Sequence, residues 1–549
     1  MHIVMIAAEN GALFGGKVGG IGDVIRDVPL ALAQAGHRCT VITPGYSSLS
    51  RLNPSTPAGT VATRFCGRTE VLELLAVQPR PESAGRGGRS GKETGGRKRA
   101  LVSHYVLEHP LFAAGGAGAI YCDDQQGPFA TDAHKFALFC AAVCQILSEG
   151  RLGQIDAIHL HDWHAALLAM LVRSPVHQAP HRPLQEVPLV YSIHNLSLQG
   201  IRPLSGHESS FHHWFPELVP DLRLVQDPRY WDCINLMRAG INLSDRVHAV
   251  SPSYAQEILV PTDLTHGFIG GEGLEGDLQR VAEQGRLVGI LNGCDYSQPA
   301  VAASSQEQLL TLMEQSLLRW VGDRHSIPAA HFHAQRRVAQ WRARASLGRV
   351  LTSVGRITPQ KSRLFMEDVS SGSAIGEQPV LGVPDAQCSA LERLLDSLDD
   401  GVFIMVGNGD EALEAFFTAV MARRENFLFL CGFSEALAGA IYATGDLFLM
   451  PSTYEPCGIS QMLAMRAGTP CVVHHVGGLR DTVSHGENGF VFTGDTAREQ
   501  AENMLATVQE ARALMADTAA WERICQGAGD SRFSWTKAVD RYLKQLYSH

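Results

Sequence analysis

The chain has 549 residues, of which 45% are apolar and 19% charged, with a formal net charge of −10. That length exceeds one ordinary core and argues for two domains of a globular protein. A net negative chain is poorly matched to nucleic acid or to an anionic membrane, and no apolar run nears the roughly 18 residues of a membrane span.

The opening "MHIVMIAAENGALF" lacks a basic leader and a cleavage site, so it reads as a buried strand. A glycine loop follows, with Lys17 between Gly15–Gly16 and Gly19–Gly20. Apolar residues at helical spacing then run from Asp23 to Ala35, and Gly36 stops the helix. "CTVITP" is the next strand. This β-loop-α-β order predicts a parallel sheet. The pattern recurs in "IDAIHLHD", "WHAALLAMLV", "LVYSIHN", "RVHAVS" and "PSYAQEIL", and "VGILNGCD" ends the first half. Residues 300 to 346 are rich in Gln, Arg and Ala and predict helices linking two halves. From Leu347 the alternation restarts with "VLTSVGRI", "GVFIMVGNG", "NFLFLCGF", "DLFLMPST" and "TPCVVHHVGG". The expected architecture is α/β: two doubly wound domains with a cleft between them, where ligands meet the carboxyl ends of the strands. The expected boundaries are 1–295, a helical linker over 296–346, a second domain over 347–529 and a final helix over 530–549. Residues 80–100, rich in Gly and Arg, and the polar 370–387 read as surface loops.

Chemistry concentrates at strand ends. Gly15, Gly16, Gly19 and Gly20 around Lys17 would let backbone N–H groups approach an anion at a helix start. The order of Gly and Lys fits neither a P-loop nor the dinucleotide fingerprint. Past "SVG", Arg356 and Lys361 form a pair of cations able to clamp a diphosphate. Glu455 follows "DLFLMP" and precedes a helix expected to begin near Cys457 or Gly458, so free amides there would face the cleft. Cys457 has no basic neighbour in sequence and reads as an unreactive thiol. Phe433, past the strand "NFLFLCG", is placed beside a nucleotide base, with a core position as the alternative. His159, His161 and His164 in "HLHDWH", with His194 in "SIHN", do not have zinc-site spacing, so no metal is expected. His164 opens a helix past a strand end and is expected to face the cleft. Asp123–Asp124 and Asp399–Asp400 read as turns. The 12 cysteines are scattered, which suits free thiols in a reducing cytoplasm.

Taken together the motifs resemble those of the bacterial glycogen and plant starch synthase family. "KVGGIGDV", "HLHDWHAALL", "SIHNLSLQG", "GILNGCD", "GRITPQKS", "PSTYEPCGISQMLAMRAGTPCVV" and "GGLRDTV" match its signatures in order along most of the chain. The resemblance implies the GT-B architecture, with two Rossmann-like domains and a C-terminal helix that crosses back. It implies retaining transfer of glucose from ADP-glucose to the non-reducing 4-hydroxyl of an α-1,4-glucan, with no metal or other cofactor. UDP-glucose is the alternative donor; a small acceptor or a silent glucan-binding homologue are the alternative functions. On this resemblance His164, Arg356, Lys361 and Glu455 would be catalytic. His164 would hydrogen-bond the glucose, or lend its carbonyl to the developing positive charge. Lys17, Gly19, Gly20, Asp23, Phe433, Cys457, Gly458, Gly477, Gly478 and Thr482 would bind the donor. His194, Asn195 and Gln199 would lie on the acceptor side. The sequence departs from the family pattern at Tyr296–Pro299, at Leu463 and at Arg466.

Overall fold

The computed structural model describes residues 1–80, 101–122, 132–174, 184–297, 301–322, 326–369 and 389–548. The loops expected at 80–100 (beyond Arg80) and 370–387, and Asp123–Asp124, lie outside the described residues. The chain divides into two units. One comprises Met1–Pro261, Gly270–Gly293 and Trp535–His549, and the other Thr262–Ile269 and Cys294–Ser534.

The first unit is built on a nine-stranded sheet. Its strands are β1 (His2–Ile6), β2 (Arg38–Pro44), β3 (Ser55–Phe65), β4 (Arg68–Val77), β5 (Val102–Glu108), β6 (Ala157–His161), β7 (Leu189–Ile193), β10 (Arg246–Ala249) and β11 (Leu287–Gly289). Their order is β11-β10-β7-β6-β1-β2-β5-β4-β3. β8 (Ile201–Pro203) and β9 (Cys233–Asn235) form a separate antiparallel pair. The neighbours from β11 to β5 are parallel, as the βαβ pattern predicts. β3 and β4 extend that sheet antiparallel, which the sequence reading did not anticipate. Their alternating burial has one face in the core and one in solvent, so they lack the continuous apolar run of the central strands.

Helix α1 (Gly20–Gln34) buries Ile21, Val24, Ile25, Val28 and Leu32 against β1 and β2. The spacing of these residues puts them on one stripe, and each contributes about 1.5–3 kcal/mol when fully buried. Trp535, Ala538, Val539 and Tyr542 of the final helix join the same core. That helix spans Trp535–Gln545, so the returning segment starts five residues later than 530. The Trp535 indole donates to Asp27 at 2.9 Å and fixes its position.

The second unit holds a six-stranded parallel sheet ordered β14-β13-β12-β15-β16-β17. The strands are β12 (Val350–Val354), β13 (Val402–Gly407), β14 (Phe427–Cys431), β15 (Leu447–Met450), β16 (Cys471–His474) and β17 (Gly489–Phe492). Residues 296–346 are not a linker. Leu309, Leu310, Met313 and Leu317 of the helix Gln306–Gly322 pack in the second unit's core, with Val338 and Trp341 of the helix Ala329–Arg342. The polar composition of that stretch describes only its outer faces. Two residues at which the sequence departs from the family pattern have packing partners. Arg466 donates to the Asp295 carbonyl, and the Tyr296 hydroxyl accepts from the Phe533 N–H at 3.2 Å under the Arg532 guanidinium.

Candidate active site

In the first unit the glycine loop has the expected place, between β1 and α1, but a different occupant. Glu9, past the end of β1, is buried and turns its carboxylate into the loop. Its Oε2 accepts from the N–H groups of Val18 (2.9 Å), Gly19 (2.7 Å) and Gly22 (3.2 Å). Its Oε1 accepts from the Tyr121 hydroxyl at 2.8 Å. The amide of Gly19 is therefore spent on an internal anion rather than presented to a ligand. Gly20 opens α1 just beyond. Lys17 reaches Asp23 at 2.7 Å, and Asp23 also meets Arg26 at 3.0 Å. Glu9 and Tyr121 escaped the sequence reading. The available signal was a carboxylate directly after a fully buried strand, which must find buried donors.

His164 is the third residue of the helix Asp162–Arg173 and is buried, not cleft-exposed. Its ring packs on Trp163 (4.2 Å), Phe136 (4.7 Å) and Tyr121 (5.1 Å). Burial lowers its pKa to about 3, so it is a neutral imidazole. Its carbonyl accepts the Cys140 thiol at 3.5 Å.

The adjacent Asp162 has φ of 55°, in the left-handed region a non-glycine residue seldom enters. The turn directs its carboxylate at the loop after β7, where Oδ1 accepts from the His194 N–H at 2.6 Å. Burial raises its pKa to about 7 against the pull of backbone donors His194 and Asn195. Asp162 thus holds the His194–Asn195 backbone, a role its motif did not reveal. His194 Nε2 lies 2.9 Å from His161 Nδ1. Burial lowers the His194 pKa to about 3. Asn195 Oδ1 accepts from the Ser197 N–H at 3.0 Å.

Gln199, expected to meet an acceptor, is committed internally. Its oxygen accepts from Arg229 (2.8 Å) and Asn235 (2.6 Å), and its amide donates to the carbonyls of Leu196 and Glu272. It fastens the 194–200 loop to the β8–β9 pair.

In the second unit, Arg356 stands exposed past β12 and forms no salt bridge among the described residues. Lys361 lies in the short turn Pro359–Ser362 and its Nζ is 2.8 Å from Glu455 Oε2. The Ser452 hydroxyl donates to the same carboxylate oxygen at 3.1 Å. Gln360 draws these segments together: its amide donates to the Tyr454 carbonyl, and its carbonyl accepts from the Thr453 N–H. Arg356, Lys361 and Ser452 line one cavity at the carboxyl ends of β12 and β15.

The helix expected at Cys457 starts at Ser460 instead. Residues 457–459 form a turn in which Gly458 has φ of 76°, and a Cβ there would lie 2.5 Å from Gln461 Oε1. Gln461 donates to the carbonyls of Cys457 and Gly458 and to Thr482 Oγ1. Gly477 and Gly478 open the turn Gly477–Arg480. A Cβ on Gly478 would sit 2.1 Å from the Cys457 carbonyl oxygen, so only glycine allows this approach, and its N–H donates to the Glu455 carbonyl. Thr482 is buried and its hydroxyl donates to the Gly478 carbonyl at 2.8 Å. It supports the turn rather than facing a ligand. Phe433 is 55% exposed past β14, which removes the core alternative. The Trp320 indole donates to its carbonyl at 3.2 Å.

A family model described as the starch synthase catalytic domain matches residues 2–280, and one described as glycosyl transferases group 1 matches residues 384–510. The chain is 32% identical to a glycogen synthase of Streptococcus sanguinis (strain SK36), over 98% of each chain. It is 28% identical to one of Koribacter versatilis (strain Ellin345), over 99% of this chain and 97% of the relative. Its fold is similar to the catalytic domain of starch synthase IV from Arabidopsis thaliana, a structure bound to ADP and acarbose. That likeness has a TM-score of 0.71 at 23% identity and covers 99% of this chain and 98% of that one. With two parallel αβ units and these matches along its length, the chain belongs to the glycogen synthase and starch synthase family of GT-B glucosyltransferases.

Proposed function

We propose that the enzyme transfers glucose from ADP-glucose to the non-reducing 4-hydroxyl of an α-1,4-glucan, with retention of configuration. The observation that carries the reading is the cation pair of the second unit: Arg356 without an ion pair among the described residues, Lys361 held by Glu455, both lining one cavity at the strand ends. As the bond from C1 to the diphosphate oxygen breaks, its electron pair moves onto that oxygen. Arg356 and Lys361 stabilise the charge there. One such contact is worth roughly 10²–10³ in rate, or about 2.7–4 kcal/mol. The acceptor O4 then bonds to C1 on the same face, and its proton passes to the departing phosphate oxygen. This route uses protein cations and needs neither a resident metal nor a protein nucleophile.

Glu455, fixed by Lys361 and Ser452, has lone pairs for sugar hydroxyls. Phe433 offers an exposed ring for the base. In the first unit the neutral imidazole of His194 serves as an uncharged hydrogen-bonding group for a sugar. A cytoplasmic setting belongs to the proposal and is supported by the described cysteines being free thiols. Among the described residues no helix is long and apolar enough to cross a membrane.

Incubation with ADP-glucose and maltooligosaccharides should yield a ladder extended by single glucose units, and UDP-glucose should be the poorer donor. Donor turnover onto a small sugar without a ladder would overturn the glucan assignment. No turnover of either nucleotide sugar would overturn the reaction itself.

A further inference from the structure

Behind His194 a line of buried polar groups runs across three neighbouring strands of the first sheet to a backbone carbonyl just past a fourth. The Tyr547 hydroxyl lies 2.6 Å from His159 Nδ1 on β6. His159 Nε2 lies 2.7 Å from Ser192 Oγ on β7. Ser192 Oγ lies 2.8 Å from Nδ1 of His248 on β10, its register partner. His248 Nε2 lies 3.1 Å from the carbonyl oxygen of Ile290, just past β11. All five residues are buried.

One acceptor sets the direction of the whole chain. The Ile290 carbonyl can only accept, so His248 Nε2 carries a proton. Burial disfavours the imidazolium, so His248 Nδ1 is an acceptor, and the Ser192 hydroxyl donates to it. The Ser192 oxygen then accepts from His159 Nε2–H. His159 Nδ1 is left as an acceptor, and the Tyr547 hydroxyl is its donor. Both tautomers follow from a single backbone group.

His159, held at both nitrogens, lies face to face with His161, with ring centroids 4.3 Å apart and planes 25° from parallel. His161 in turn bonds His194 at 2.9 Å. We infer that Tyr547, just past the helix Trp535–Gln545, is a positioning residue for His194, acting through the His159–His161 stack. This rests on the role that the proposed function gives His194. Removing the hydroxyl leaves a buried acceptor unfilled. The His159 ring answers by changing tautomer, turning or admitting water, and the stack that orients His194 moves with it.

The test uses the full chain carrying Tyr547→Phe, which keeps the packed ring and loses only the hydroxyl. With ¹⁵N-labelled histidine, and signals assigned through His159→Gln and His194→Gln, the wild-type protein should show His159 protonated at Nε2 alone. Tyr547→Phe should lose that single tautomer and shift the His194 ring signals. Its kcat should fall about tenfold with the ADP-glucose KM within about twofold, the split expected when orientation rather than binding is lost. His194 signals superimposable on wild type, or an unchanged kcat, would overturn the inference. Should Tyr547→Phe fail to fold, Ser192→Ala breaks the same chain on the other side of His159 and must show the same His194 shift, or the inference fails. The ring signals need no substrate. If the wild-type protein transfers no glucose, the proposed function falls while the spectrum still decides whether Tyr547 orients His194.

Discussion

Each unit carries a lysine bonded to a carboxylate at a strand-to-helix turn, and the two are not alike. Lys17–Asp23 spans 2.7 Å with the lysine side chain 39% and the carboxylate 14% exposed, whereas in Lys361–Glu455, at 2.8 Å, they are 21% and 8% exposed. The contrast extends to their surroundings. In the first unit several candidate groups are engaged from within: Glu9 accepts from the glycine-loop amides, Asp162 accepts from the His194 amide, and burial holds His164 and His194 neutral. In the second unit Arg356 stands free of ion pairs among the described residues, and Lys361 leans on a single carboxylate. The same motif chemistry therefore yields a pre-arranged neutral surface in one unit and available positive charge in the other. Depth of burial and neighbouring partners make the difference, not residue type.

The largest expected effect tests the charged side. Arg356→Ala should lower kcat by about 10²–10³ while leaving the thermal midpoint unchanged, because the side chain is exposed. Lys361→Ala should lose as much turnover and also destabilise the fold, because Glu455 is then buried without its cation. Equal midpoints for the two variants would erase the contrast between the exposed Arg356 and the paired Lys361.

Acidification tests the neutral side. Burial lowers the pKa of His164 and His194 to about 3 and of His104 and His248 to about 4, all in the first unit. The unfolded chain binds these protons near pH 6.5 and the folded chain does not. Stability therefore falls as pH drops from about 6.5 towards 4, by up to about 1.4 kcal/mol per pH unit for each such group. Asp162 opposes this. Its folded pKa of about 7 lies above the unfolded value, so its contribution is present in acid and lost as pH rises towards 7. These four histidines, with His159 and His161 also lowered by burial, outweigh one aspartate. Hydrogen exchange corrected for intrinsic rates should show residues 157–173 and 189–199 opening first between pH 7 and 5. Uniform loss of protection in both units would contradict the assignment.

Two smaller effects sharpen the comparison of the lysines. Glu9→Gln keeps the shape but removes the charge and one acceptor, so stability should drop by about 1–3 kcal/mol in a denaturant titration. No change would mean that the loop is held by its own backbone. Lys17→Ala should cost less than about 1 kcal/mol, as an exposed pair does. Its trace should be a raised donor KM. A midpoint shift as large as that of Lys361→Ala would show the two pairs to be equivalent.

Much of this was legible in the sequence. Central strands buried on both faces must be continuous apolar runs, and helices on such a sheet must repeat every three to four residues, so "HIVMI", "FIMVG" and the run after Asp23 declared themselves. Motif order carried the family, and strand ends carried Arg356, Lys361 and Glu455. Local rules could not show which donor meets which acceptor. Glu9 and Gly19 lie ten residues apart, Asp162 and His194 thirty-two, His159 and Tyr547 almost four hundred. Whether an amide faces a ligand or an internal carboxylate depends on what else is buried beside it. The same holds for Gln199 and Thr482, which the motifs assign to substrates and the packing commits to the protein itself. The helices of 306–342 read as a linker in sequence for a related reason: their outward faces set the composition, while their inward faces meet a core assembled from strands far along the chain. Periodicity and residue type are local properties that the chain carries with it. The pairing of buried polar groups is a property of the closed core, because only there does an unmet hydrogen bond cost enough to select a partner.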